Sequence, residues 1–61
     1  MNVIVYDLYN HETKQNSDEL FKYVEKIEAV EEGHRTHIVL HFFSGRYKTF
    51  NIEDCNYIKI M

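Results

Sequence analysis

The stretch HIVLHFFSGRYKTFNIEDCNYIKI, residues 37–60, decides the expected fold. Its first part alternates, placing Ile38, Leu40 and Phe42 on one face, and a period of two is typical of a half-buried strand. Ser44-Gly45 then favours a tight turn, because glycine adopts the positive φ that such turns need. Residues 46–51 predict a returning strand, and residues 56–60 a closing one. The stretch therefore predicts a hairpin followed by a third strand.

The first half of the chain follows the same plan. When residues 3–9 are set beside residues 37–43, Ile4, Tyr6 and Leu8 fall on the three apolar positions just named. Asn10 takes the place of the turn, and asparagine tolerates left-handed backbone geometry. We therefore predict a single domain, residues 1–61, built from two pseudo-repeats, residues 2–30 and 36–61. The last strand would pair with the first.

The middle of the chain, residues 17–33, carries signals for both helix and strand. Ser17 suits a helix N-cap and Gly33 a helix end, which allows a helix over residues 18–32 in a β-α-β-β-β fold. That helix would place Glu28 and Glu31 in its apolar face. We favour a short helical turn at residues 18–21, followed by a strand that pairs with the one beginning at Thr36. The expected fold is a small all-β antiparallel meander or partial barrel of five to six strands.

Composition excludes several classes of protein. The 61 residues have one cysteine, which rules out an internal disulfide and fits a cytoplasmic location. No apolar run is long enough to cross a bilayer, so no membrane partner is expected. A net charge of −3 without a basic stripe argues against nucleic acid as the partner.

No constellation of residues predicts catalysis, a metal or a cofactor. His34, His37 and His41 are spaced H-x-x-H-x-x-x-H, but His37 and His41 would lie about 13 Å apart along a strand, at ~3.3 Å per residue, which is too far to bind one ion. Cys55 follows two acidic residues, which would raise its pKa and favour a small buried thiol over a nucleophile. No nucleophile elbow and no glycine-rich phosphate loop is present. We expect a protein that is not an enzyme.

A second apolar face is the strongest indication of a binding role. Several apolar residues alternate with the expected core residues and therefore lie on the opposite face of the strands. An apolar face of this kind is either the second wall of a barrel or an interface. A chain this small gains stability by self-association, which predicts a homodimer through this face or an edge strand. Arg46 and Tyr47 are residue types enriched at interface hot spots. The expected interface comprises Val5, Tyr9, Val39, Phe43, Arg46 and Tyr47.

The segment FKYVEKIE, residues 21–28, followed by residues 33–60, resembles small β-meander accessory proteins. These proteins are encoded by phages, prophages and plasmids of low-GC Gram-positive bacteria. The resemblance implies a factor that acts in the host cytoplasm by binding a host or rival protein, including as an inhibitor of a defence or housekeeping enzyme. The alternative is a nucleic-acid-associated regulator that uses Arg35, Arg46 and Lys48, provided that their turns share one end of the sheet.

Overall fold

The computed structural model describes all residues, 1–61, and about two thirds of them lie in β-strands. The strands are β1 (Val3–Asn10), β2 (Gln15–Phe21), β3 (Val24–Glu32), β4 (Arg35–Phe42), β5 (Tyr47–Asn51) and β6 (Tyr57–Ile60), with one 3-10 turn at Ile52–Asp54. This confirms the all-β prediction. No helix is present that has the length and apolar character to span a membrane.

Six strands form two three-stranded antiparallel sheets, in the orders β2-β1-β6 and β3-β4-β5. The two sheets do not close into a barrel. β6 pairs with β1, with Val3 opposite Ile60, which confirms the predicted pairing of the last strand with the first. Each sheet therefore takes two strands from one half of the chain and one from the other. The two pseudo-repeats remain a prediction.

The β4–β5 hairpin forms where the sequence predicted it. Gly45 has a φ of 88° and donates its N–H to the carbonyl of Phe42 over 3.0 Å. The Phe42 N–H in turn donates to the carbonyl of Arg46 over 2.9 Å. On its other side β4 pairs with β3, with Ala29 opposite Ile38, and Gly33 turns at a φ of 64°.

Residues 18–32 are not helical, so the alternative helix is wrong. The helical turn expected at residues 18–21 is wrong as well, because this segment belongs to β2. Leu20 lies opposite Ile4 and Phe21 opposite Val3 on β1. The ladder with β1 supplies partners for the backbone and overrides the local preference of Ser17-Asp18 for a helix start.

The core consists of seven buried apolar residues: Val3, Val5, Leu8, Val24, Ile38, Leu40 and Phe50. On β4 the predicted inward positions Ile38 and Leu40 are correct. On β1 the predicted inward face is wrong. Ile4 and Tyr6, which were predicted as core, are partly exposed, and their neighbours Val3 and Val5 are buried instead.

A bulge in β1 explains why Leu8 is nevertheless buried. The pairing of β1 with β2 shifts register between Val5 and Leu8, and Asp7 adopts a φ of 56°. The Asp7 N–H donates to Oδ1 of Asp18 over 2.9 Å, and the side chain of Asn16 donates to the Asp7 carbonyl over 3.2 Å. One extra residue in a strand reverses the alternation, so Val5 and Leu8 both face the core.

The corner between β2 and β3 is formed by Lys22 and Tyr23. Tyr23 has a φ of 62°, and its carbonyl accepts the N–H of Phe43 over 3.1 Å. The next residue, Val24, is fully buried. Its N–H donates to the Met1 carbonyl over 3.0 Å, and its carbonyl accepts from the Met1 amino group over 2.7 Å. These bonds fix the corner beside the β4–β5 hairpin.

Candidate binding surface

The β2–β3 corner and the β4–β5 hairpin together border an open cavity of about 660 Å³. We call it the aromatic groove, because its walls are Phe21, Tyr23, Phe42, Phe43 and Tyr47. Phe21 and Phe42 are partly buried against the core, with ring centroids 6.3 Å apart. They form the inner part of the groove, and the other three rings surround it.

The outer rings of the aromatic groove are unusually exposed. Tyr23, Phe43 and Tyr47 leave 75%, 68% and 70% of their surface open to solvent. Single exposed apolar side chains are normal on a protein surface, but clustered aromatic residues typically mark a binding site. The cluster therefore identifies the part of this surface best suited to a partner.

Positive charge is concentrated at the same groove. Lys22, Arg46 and Lys48 line it, and no acidic residue does. The rest of the chain holds four of its seven lysines and arginines together with all ten acidic residues. The aromatic groove is thus a positive region on a protein of net charge −3, which favours a partner carrying negative charge at this point.

Tyr23 occupies the groove in a costly backbone conformation. A positive φ is rare for a bulky residue other than glycine and costs on the order of 1–3 kcal/mol. The hydrogen bond from Phe43 to the Tyr23 carbonyl holds this geometry in place. The corner therefore carries a large exposed ring at a position where glycine would be relaxed.

Of the predicted interface residues, the structure brings Phe43, Arg46 and Tyr47 together in the aromatic groove. The assignment of Val5 to an exposed face is corrected, because Val5 is fully buried in the core. The β1 bulge is the reason, since it changes which β1 side chains face inward.

The two remaining predicted residues lie outside the aromatic groove. Tyr9 lines a second, smaller cavity of about 370 Å³, where its ring meets His11 edge-on at 4.8 Å. Val39 is partly buried in the middle of β4, between Glu28 and Thr49. The predicted single face is therefore divided between separate regions of the molecule.

Lys22 and Tyr23 were missed by the sequence reasoning. They contribute to the groove from a part of the chain about twenty residues before the hairpin. Nothing in the Phe-Lys-Tyr-Val sequence marks a turn by the usual glycine, proline or asparagine. The pairing of Val24 with Phe42 and the hydrogen bond from the Phe43 N–H to the Tyr23 carbonyl make the corner and the hairpin neighbours.

The second cavity contains a direct contact between two titratable side chains. His11 Nε2 lies 2.8 Å from Asp54 Oδ2, which ties the β1–β2 turn to the 3-10 turn. The imidazole is 71% exposed. Such a surface contact stabilises a loop and leaves the imidazole in water.

The other titratable candidates are placed apart. Burial, and secondarily the charge of Asp54, raises the pKa of the Cys55 thiol, which disfavours the nucleophilic thiolate. His37 lies 3.8 Å from Glu32, and His41 lies 2.5 Å from Glu28. No group of three or more such side chains is arranged to hold a metal ion.

No protein-family model matches this chain, and no curated protein or solved structure matches it either.

Proposed function

We propose that this chain is a small non-enzymatic binding factor that captures a partner protein through the aromatic groove. The observation that carries the proposal is the exposure of Tyr23, Phe43 and Tyr47 around one cavity. Apolar rings gain free energy when they leave water, roughly 25 cal/mol per Å² of buried apolar surface. A partner that covers all three rings would therefore be stabilised by apolar burial at a single site.

The residue types at the groove support the same role. Tyrosine and arginine are enriched at interface hot spots, and Tyr23, Tyr47 and Arg46 all line this groove. The hydrogen bond from the Phe43 N–H to the Tyr23 carbonyl holds the corner and the hairpin together before binding, so the groove needs little further ordering when a partner binds. A factor of this kind acts by occupying a surface of a host or rival protein, including a surface that an enzyme needs for its activity.

The test is capture of a partner by the immobilised protein from a cytoplasmic extract, with two matched variants. Phe43→Asp places a charge in the groove, and Ile60→Asp places one on β6, where Ile60 is 61% exposed. We expect the wild type and Ile60→Asp to retain the same partner, and Phe43→Asp to lose it. Circular dichroism of both variants checks that they fold. Retention by Phe43→Asp at the wild-type level would contradict the proposal.

Self-association through the same groove is measured separately by sedimentation equilibrium. A homodimer that uses the groove becomes a monomer on Phe43→Asp and persists on Ile60→Asp. A monomeric wild type at micromolar concentration would dispose of the homodimer while leaving capture of a different protein as the proposed role.

A nucleic-acid-associated regulator is the second candidate, and Lys22, Arg46 and Lys48 favour it. Cations beside exposed aromatic rings are also typical of sites that bind single strands. Arg35 does not join them, because it begins β4 at the end opposite to the hairpin. Binding of DNA or RNA that falls steeply as salt is raised would favour this candidate. The ten acidic residues elsewhere on the chain oppose it.

A further inference from the structure

Strand β5 is an edge of its sheet with unpaired backbone groups. In the order β3-β4-β5 it pairs only with β4. The N–H of Phe42 bonds to the carbonyl of Arg46, and in an antiparallel pair such bonded positions alternate. Arg46 and Lys48 therefore face β4, and the N–H and C=O groups of Tyr47 and Thr49 point outward. Neither outward residue forms a backbone hydrogen bond beyond the ladder.

Strand β3, the longest edge strand, is less suited to pairing with an added strand. β3 carries Glu25, Glu28, Glu31 and Glu32, and charged residues on an edge discourage strand addition. The exposed part of β5 is Tyr47-Lys48-Thr49, and two of these residues line the aromatic groove. The Tyr47-Lys48 end of the unpaired edge thus borders the apolar, positively charged groove, and its Thr49 end borders the second cavity.

We infer that β5 accepts an extended acidic segment of the partner protein as an additional strand. This inference rests on the proposed function and specifies the chemistry of the partner. Backbone hydrogen bonds at Tyr47 and Thr49 would hold the segment, as in other cases of strand addition. Its side chains alternate between faces, so an aspartate or glutamate lies beside Lys48 and an aliphatic or aromatic residue lies beside Tyr47.

Charge selects this occupant over the two alternatives. A second copy paired antiparallel through its own β5 would bring Arg46 and Lys48 close to the same cations of its partner, which is unfavourable. A nucleic-acid strand extending beyond the groove would meet a surface that holds all ten acidic residues. A short acidic segment gains the attraction at the groove when its acidic side chains lie beside Arg46 and Lys48. Its end beside Thr49 must be uncharged, because Thr49 borders the second cavity together with Glu12, Glu19 and Asp54.

The probe is the synthetic peptide acetyl-Val-Glu-Val-Glu-Val-Glu-Val-Glu-amide, titrated into nitrogen-15-labelled protein and followed by amide NMR. The amides of Tyr47 and Thr49 should shift and become protected from hydrogen exchange, and the Lys48 amide should change least. The same peptide with lysine in place of glutamate should bind at least tenfold more weakly, and the difference should shrink as salt is raised.

Proline substitution isolates the backbone contribution. Thr49→Pro removes an outward N–H that the ladder does not use, a position where an edge strand tolerates proline. Ile60→Pro is the matched control. Asn2 and Met61 form a hydrogen-bonded pair between β1 and β6, and bonded positions alternate along a strand. The N–H of Ile60, next to Met61, therefore also points away from β1. Thr49→Pro should weaken the glutamate peptide at least tenfold, and the control should leave its affinity within twofold.

Four results would overturn the inference. The first is that the Tyr47 and Thr49 amides do not shift at saturation with the glutamate peptide, and the second is that the lysine peptide binds as tightly as the glutamate peptide. The third is that an eight-nucleotide oligothymidylate binds more tightly than the glutamate peptide. The fourth is that these amides shift when the protein concentration alone is raised. Failure of the inference is distinguishable from failure of the proposed function. If partner capture is lost on Phe43→Asp but survives Thr49→Pro, the groove binds the partner without strand addition at β5.

Discussion

Replacing Tyr23 by glycine and by alanine should give stabilities in the order opposite to the usual one. Both changes remove the same ring, which is already 75% exposed, so the lost contacts cancel in the comparison. Alanine in the left-handed conformation at a φ of 62° retains a cost of roughly 1–2 kcal/mol. Glycine avoids that cost but loses roughly 0.5–1 kcal/mol more in backbone entropy on folding. The midpoints of these two costs leave the glycine variant more stable by about 0.8 kcal/mol.

Thermal unfolding followed by circular dichroism measures this difference. A change of 1 kcal/mol corresponds to roughly 4–8 °C in Tm for a domain of this size. Both variants should capture the partner less well than the wild type, since both lack the Tyr23 ring. An alanine variant as stable as the glycine variant would refute the reasoning, because it would show that the corner does not force Tyr23 into the left-handed region.

Three further predictions concern the core, the bulge and the thiol. Leu40→Ala, at a fully buried position, should lower the free energy of unfolding in urea by about 2–5 kcal/mol. That is a large part of the roughly 3–9 kcal/mol expected for a 61-residue chain. Leu20→Ala, at a half-exposed position, should lower it by under about 1 kcal/mol. Asp7→Val should unfold at lower temperature than Asp7→Gly, because valine is strained at a φ of 56°; equal Tm values would argue against the bulge. Cys55 should react with iodoacetamide more slowly in the folded chain than in urea, because its folded pKa is raised. As pH rises past the ordinary thiol value of 9.0 the unfolded chain ionises first, so the free energy of unfolding should fall, and Cys55→Ser should remove this dependence.

The β4–β5 hairpin was predictable because its alternation is uninterrupted and Gly45 marks its turn. The inward face of β1 was not, because the register depends on one extra residue at Asp7. Aspartate is only a weak signal for a bulge, and the compensating hydrogen bond comes from Asp18 on another strand.

The residues of the aromatic groove were likewise predictable only in part. Phe43, Arg46 and Tyr47 belong to one hairpin, so local pattern was enough to group them. Lys22 and Tyr23 reach the groove through a contact between distant segments, which periodicity within a short window does not contain. Strand β2 shows the related difficulty that its polar sequence favours a helix start until β1 is there to pair with it.

The pairing of the last strand with the first has a kinetic consequence. Neither half of the chain completes a sheet without a strand from the other, and the pairing of Val3 with Ile60 closes a loop of nearly the whole chain. Contacts this distant in sequence slow folding into the range of milliseconds to seconds. A partner held along β5 would raise the free energy of global unfolding, so the slowest-exchanging amides of both sheets would report its binding together.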